Sequence, residues 1–260
     1  MVDEKWPNVT SLNVRVRKVG VILMILSLLH LIGCSAIDKD TASQITTALQ
    51  EKYGEEFKCD SIGNRFGTAT NDTVTGYCYP SSNPSVLFEV IMDKDGEIVG
   101  ESYISSFVSD ILENAIVQEF QNENVIVHVS ASAYRYDEMK EFTSKSNLTI
   151  NNFIKENPRS GFSADIIVDE SSNIEDLAYS ISDVYLRLSE KYPQLSLGAQ
   201  IKIISNLDFV KCSEEMDNNP TVSKTLFEKY DVKGEVIVGI KNGKPTKEIN
   251  EIQNEIKSGG

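Results

Sequence analysis

The stretch TVTGYCYPSSNPSVLFEVIMDKDGEIVG, residues 73–100, decides the fold class. TVTGYCYP and SVLFEVIMDKDGEIV carry the Val, Ile, Thr, Tyr and Phe content that favours strands. Asp95-Gly96 marks a tight hairpin turn or a strand end. Just upstream, FKCDSIGNRFG reads as a further strand. Before it, TASQITTALQEKY follows Asp40 and spaces Ile45, Leu49 and Tyr53 along one helical face, which Gly54 ends. Downstream, Ile104, Phe107, Val108, Ile111, Leu112, Ala115 and Ile116 form a helical stripe, and NVIVHVSA follows as a strand. The order over residues 41–131 is α-β-β-β-α-β, which makes this an N-terminal α+β domain.

Residues 132–148, SAYRYDEMKEFTSKSNL, are polar and mixed, and read as a linker. Beyond them, over 149–260, helices and strands alternate. INNFIKENP is a short helix stopped by Pro158, and FSADIIVDE is a strand. Ser172 and Glu175 fit a capping box that opens a helix with the face Ile174, Leu177, Ala178, Ile181, Tyr185 and Leu188. Pro193 closes it. AQIKIIS is a strand, TVSKTLFEKY a helix and GEVIVGI a final strand, with Asn242-Gly243 as a turn. The alternation predicts βαβ-like pairing. The expected fold is α+β: two small α/β units, each a sheet packed against helices.

Ahead of both units stands VRVRKVGVILMILSLLHLIGCSAIDKD, residues 14–40. Arg15, Arg17 and Lys18 precede an uncharged run of about 14 residues, short for a membrane span of roughly 20 but suited to a secretory signal. Leu31-Ile32-Gly33-Cys34 resembles the bacterial lipobox: aliphatic, tolerated, small, cysteine. That resemblance implies diacylglyceryl attachment to the Cys34 thiol and cleavage between Gly33 and Cys34. Residues 1–33 are then a signal peptide and 34–40 a lipidated tether. Two acyl chains hold stably where one holds marginally, at about 0.8 kcal/mol per buried methylene. A six-residue tether reaches at most about 20 Å, so the folded part sits close to the bilayer.

Charge excludes some partners. The whole chain carries 25 basic and 39 acidic residues, a net −14. Loss of residues 1–33 removes four basic and two acidic residues, leaving 21 against 37, a net −16. Nucleic acid, which needs Lys and Arg against its phosphates, is excluded as a partner. Electrostatic adhesion to anionic lipid is disfavoured on the same ground, so the acyl chains on Cys34 are the membrane contact.

Catalytic motifs are absent. His128 is the one histidine after residue 33, mid-strand between Val127 and Val129, which leaves no His-based zinc site or HExxH hydrolase. GIKNGKPT falls short of a phosphate loop, with Gly239 and Gly243 separated by three residues rather than four and Pro245 in place of Ser or Thr. DKDGEIVGES falls short of a calcium loop, with Ile91 and Ser102 at ligand positions. No metal site and no cofactor are expected. Arg65 and the tyrosines 77, 79, 134 and 136 are a candidate recognition surface, although strand aromatics are more often cross-strand pairs. Cys59 and Cys78 lie in neighbouring predicted strands. A bond between them closes a loop of about 20 residues and contributes roughly 3 kcal/mol; two buried thiols is the alternative. Cys212 beside Glu214 and Glu215 lacks the basic surroundings of a reactive thiol.

The lipobox, together with EKYGEEFKCDSIGNRFGTATNDTVTGYCYP and the VLFEV after it, resembles uncharacterised surface lipoproteins of low-GC Gram-positive bacteria. The resemblance implies a lipid-anchored protein on the outer face of the cell membrane, and it transfers no catalytic residue. The expected function is a non-enzymatic, extracytoplasmic interaction or binding module for an envelope protein or ligand. The alternatives are a small-molecule or peptide receptor serving a transporter, and a carboxylate-based envelope hydrolase. A deep cleft with convergent polar groups favours a binder; a buried carboxylate pair in it favours an enzyme.

Overall fold

The computed structural model describes residues 39–63, 72–135, 148–171, 174–218, 222 and 224–258. The expected signal peptide, Gly33, Cys34, Arg65, Tyr136 and Ser172 lie outside the described residues, as do positions 136–147 of the expected linker.

The first sheet is an antiparallel meander, β1-β2-β3-β4, built from β1 (Phe57–Gly63), β2 (Thr73–Pro80), β3 (Phe88–Asp93) and β4 (Ile98–Glu101). The quoted stretch supplies three of these strands. β3 alternates strictly: Phe88, Val90 and Met92 point inward while Glu89, Ile91 and Asp93 are half-buried. That period of two gives a sheet one core face. The β3–β4 turn is closed by Asp93, whose Oδ1 accepts from the Asp95 and Glu97 N–H groups at 2.9 Å each. Gly96 there has a positive φ of 86°. The calcium-like spacing is therefore a self-bonded turn.

Two helices cover this sheet. α1 (Lys39–Tyr53) buries Ile45 and Leu49, and α2 (Tyr103–Asn122) buries Tyr103, Ile104, Val108, Leu112, Ala115, Ile116 and Phe120. Tyr103 is the pivot, packed edge-on against Tyr53 (4.8 Å) and Phe57 (5.2 Å), its hydroxyl donating to Glu55 at 2.6 Å.

The second sheet has the order β5-β6-β7-β8-β9, from β5 (Val127–Arg135), β6 (Ser160–Asp169), β7 (Leu197–Ile204), β8 (Val232–Lys241) and β9 (Lys244–Pro245). β6 and β7 are parallel, joined through α4 (Ile174–Lys191), which is the expected βαβ unit. The remaining pairs are antiparallel. One face carries Phe162, Ala164, Ile166 and Val168 with Leu197, Ala199, Ile201 and Ile203, and joins the main core. α4 and α7 (Ile249–Ser258) lie over it through Leu177, Ile181, Tyr185, Leu188, Ile252 and Ile256. On the other face α5 (Asn206–Asp217) and α6 (Lys224–Phe227) enclose a smaller core with Ile167, Ile204, Cys212, Met216 and Phe227. α3 (Ile150–Glu156) leads into β6, capped by the Thr149 hydroxyl accepting from the Asn152 N–H at 3.1 Å.

One core runs through both sheets, because α2 packs on β3, on β5 and on α4. Arg187 of α4 secures that junction, bonding Glu119 on α2 at 2.8 Å and Glu123 at the C-cap of α2 at 2.9 Å. β5, grouped by sequence with the N-terminal unit, pairs with β6 along its length. Residues 132–135 continue that strand rather than begin a linker. The expected helix over 221–230 is a single described turn, since Tyr230 folds back on Phe227 (N–H to carbonyl, 3.1 Å) to let β8 start at Val232. Helices α5 and α7 were not anticipated by the pattern. No helix among the described residues is long and apolar enough to cross a membrane.

Candidate functional site

α2 buries a broad apolar face and exposes Asn114, Gln118 and Gln121; a stripe at helical spacing, Ser105, Ser106, Ser109, Asp110 and Glu113, continues from the N-cap Ser102. Short hydroxyl side chains where a core helix would carry aliphatics leave space unfilled. That space is a cleft of about 270 Å³. Its opposite wall is β5 from Val129 to Ala133, and its ends are the loop at Ser85–Leu87 and the last residues of α5, Met216 and Asp217. The cleft thus lies where the two sheets meet.

β5 is an edge strand, and edge N–H groups need partners. α2 provides them. The Ala131 N–H donates to Glu113 Oε1 at 2.6 Å, and the Ala133 N–H donates to Ser109 Oγ at 2.8 Å. Ser109 Oγ in turn donates to the Ser105 carbonyl at 2.7 Å. Asp110 accepts from Ser85 Oγ at 2.9 Å and from Asn83 Nδ2 at 3.2 Å, tying the loop to the helix. Asp217 faces His128 Nε2 at 3.1 Å.

Three carboxylates therefore line one hollow. Burial pushes the Glu113 carboxyl up to about 7; the neighbouring Asp110 and Asp217 charges add to the rise, while the Ala131 N–H bond opposes it. The site carries hydroxyls that both donate and accept, and one carboxyl that changes charge near neutral pH. Among the described residues, no group of three or more His, Cys, Asp or Glu side chains is arranged to hold a metal ion.

Few residues singled out by the sequence meet here. His128 meets the cleft through Asp217, whose carboxylate lies 3.1 Å from its Nε2. Cys59 and Cys78 are register partners on β1 and β2 and are joined as a disulfide. Cys212 is buried in α5, its thiol pushed up to about 11 by burial and by the Glu215 and Asp208 charges. The described tyrosines of that set stand on different sheets. Tyr77 and Tyr79 stand on β2, while Tyr134 stands on β5 against Gly161, where a Cβ would come within 2.6 Å of its hydroxyl. Asn242 and Gly243 form the β8–β9 turn, with φ of 53° and 69°. The serine stripe was legible as a spacing, yet what it faces depends on the β5 pairing.

No family model and no curated protein matches the chain. Among solved structures, the fold is similar to that of a DUF5037 family protein from Ruminococcus gnavus ATCC 29149. The TM-score is 0.58 at 16% identity, covering 84% of this chain and 99% of that one. At that identity the likeness concerns the fold alone.

Proposed function

We propose that this protein is a membrane-anchored extracytoplasmic lipoprotein that acts as a non-enzymatic binding module, holding a small polar ligand between α2 and β5. The cleft carries the reading. It is concave, it sits between two sheets, and serine hydroxyls converge on it from one helix. Hydroxyls suit a ligand bearing hydroxyl or amide groups, and the three carboxylates disfavour an anionic one. The anchor rests on Leu31-Ile32-Gly33-Cys34, with the acyl chains doing what a surface of net −16 does not. A receptor delivering that ligand to a transporter is the same reading with a protein partner added.

The test is a photo-crosslinking side chain at position 106 of the native, lipid-anchored protein. A discrete adduct is expected there and absent with the same group at Glu51, on the exposed side of α1. Identical adducts from both positions would remove the cleft from the account. One observation favours a second reading, a carboxylate hydrolase: Glu113, its carboxyl raised to about 7 chiefly by burial, lines the same cleft as Asp110 and Asp217.

A further inference from the structure

Glu113 stands one helical turn beyond Ser109 on α2, and the two side chains share a structural task. Each accepts one edge N–H of β5, Glu113 from Ala131 at 2.6 Å and Ser109 from Ala133 at 2.8 Å. A neutral oxygen suffices for that, as the Ser109 hydroxyl shows. The Glu113 carboxyl brings a second oxygen, Oε2, which has no hydrogen-bond partner among the described residues, and Glu113 lines the cleft. The other two carboxylates there are already engaged: Asp110 accepts from Ser85 and Asn83, and Asp217 faces His128.

Charge decides what that second oxygen offers. Asp110 faces Glu113 from the same helix and Asp217 from α5, with His128 of β5 beyond Asp217. The cleft's share of β5, Val129 to Ala133, and the loop at Ser85–Leu87 bring no charge, and no Lys or Arg is among the described residues of the lining. Ionising Glu113 sets a third negative charge beside two in a hollow, which burial and like charge both oppose. The neutral carboxyl is the favoured form up to about pH 7. With Oε1 accepting from Ala131, the proton sits on Oε2. That O–H is a donor without an acceptor among the described residues.

We propose that protonated Glu113 is the specificity-determining donor of the α2–β5 cleft, giving its Oε2–H hydrogen bond to an uncharged acceptor oxygen of the ligand, such as an amide carbonyl, and releasing that ligand when it ionises. The inference rests on the binding role proposed above and narrows it to a neutral ligand with an acceptor oxygen. On ionisation the proton passes to solvent and the carboxylate becomes acceptor-only, so that its lone pairs oppose those of the ligand oxygen. The Ser106 hydroxyl, two turns before Glu113 on the same stripe, both donates and accepts and is indifferent to the change.

The photo-crosslinking side chain at position 106 reads this on the native, lipid-anchored protein, irradiated at about pH 5.5 and at about pH 8. Between those values the neutral fraction of a carboxyl titrating at about 7 falls from nearly all to about a tenth, so the adduct should drop about tenfold. Glu113→Gln keeps an oxygen for the Ala131 N–H and presents an amide N–H donor in place of Oε2–H at every pH. With that change the adduct should persist at both values. A yield unchanged by pH with Glu113 in place overturns the inference and leaves the binding role standing; no adduct at either pH removes both. A yield that rises with pH overturns it too, because the carboxylate would then be accepting from a ligand ammonium. So does an equal drop in the Gln variant, which moves the titration to His128 and Asp217. Amide NMR of the ligand-free protein in detergent micelles gives a second reading. The Ala131 N–H shift should titrate with a midpoint near 7 and stay flat in Glu113→Gln; a flat response in both overturns the inference.

Discussion

Glu113 accepts a backbone N–H of the neighbouring sheet, and burial biases its carboxyl toward the neutral form. Its folded value, about 7, lies above the ordinary 4.5. A carboxyl raised in this way favours the fold while protonated. That contribution is fully present below about pH 4.5 and is lost as pH rises through 7. Glu113→Gln keeps an oxygen for the Ala131 N–H and removes the charge. Melting curves should show the variant more stable than wild type at pH 8, by about 1–3 kcal/mol, with the difference vanishing below pH 4.5. A pH-independent difference would mean that Glu113 is not the titrating group. Cysteines are the other residue-scale test. Thiol titration of the denatured, non-reduced mature protein should find one reactive group, Cys212; three would remove the Cys59–Cys78 bond. Replacing both with alanine should cost about 3 kcal/mol by the loop-closure argument, for a sequence separation of 19.

At the scale of elements, α2 stands between the sheets: its apolar face enters the core and its serine stripe satisfies β5. Ser109→Ala deletes the acceptor of the Ala133 N–H and should cost about 1–2 kcal/mol. Ser106→Ala, on the open part of the same stripe, should stay within about 0.5 kcal/mol. Denaturant unfolding of the pair distinguishes a load shared by the whole stripe from one centred on Ser109. Most elements follow from local pattern: β1 and β2 from residue type, α4 from its single apolar face, and SVLFEVIMDKDGEIV as one strand-favouring run that the Asp95-Gly96 turn divides into β3 and β4. α7 had the signal too, in the spacing of Ile249, Ile252 and Ile256, but GEVIVGI was read as the last element. Ile252→Ala should cost about 2–5 kcal/mol, because its side chain is fully enclosed. α5 offered little to read, with two fully buried positions, Cys212 and Met216, in twelve residues. β5 was recognised as a strand but grouped with the wrong sheet. Its sequence neighbours suggest pairing with the preceding strands, whereas its partner, β6, is fixed by contacts that span the polar stretch after residue 135. The cleft was hidden for the same reason, since one of its walls is that strand.

The whole molecule is an acidic body with a hollow lined by hydroxyls and carboxylates where its two sheets meet. Its first described helix begins at Lys39, five residues after Cys34. Under the proposed acylation of Cys34, the start of α1 would stand within a short reach of the membrane surface. Cys34→Ala should release the protein from the membrane into the medium or leave it as an unprocessed precursor, seen by fractionation. Salt washing should not release the wild type, since the proposed anchor holds by hydrocarbon rather than charge. Mass spectrometry of the intact native protein is the most direct measurement. The account predicts a chain that begins at Cys34 and carries the mass of a diacylglyceryl group. A chain in which Cys34 is unmodified and still joined to Gly33 would contradict it.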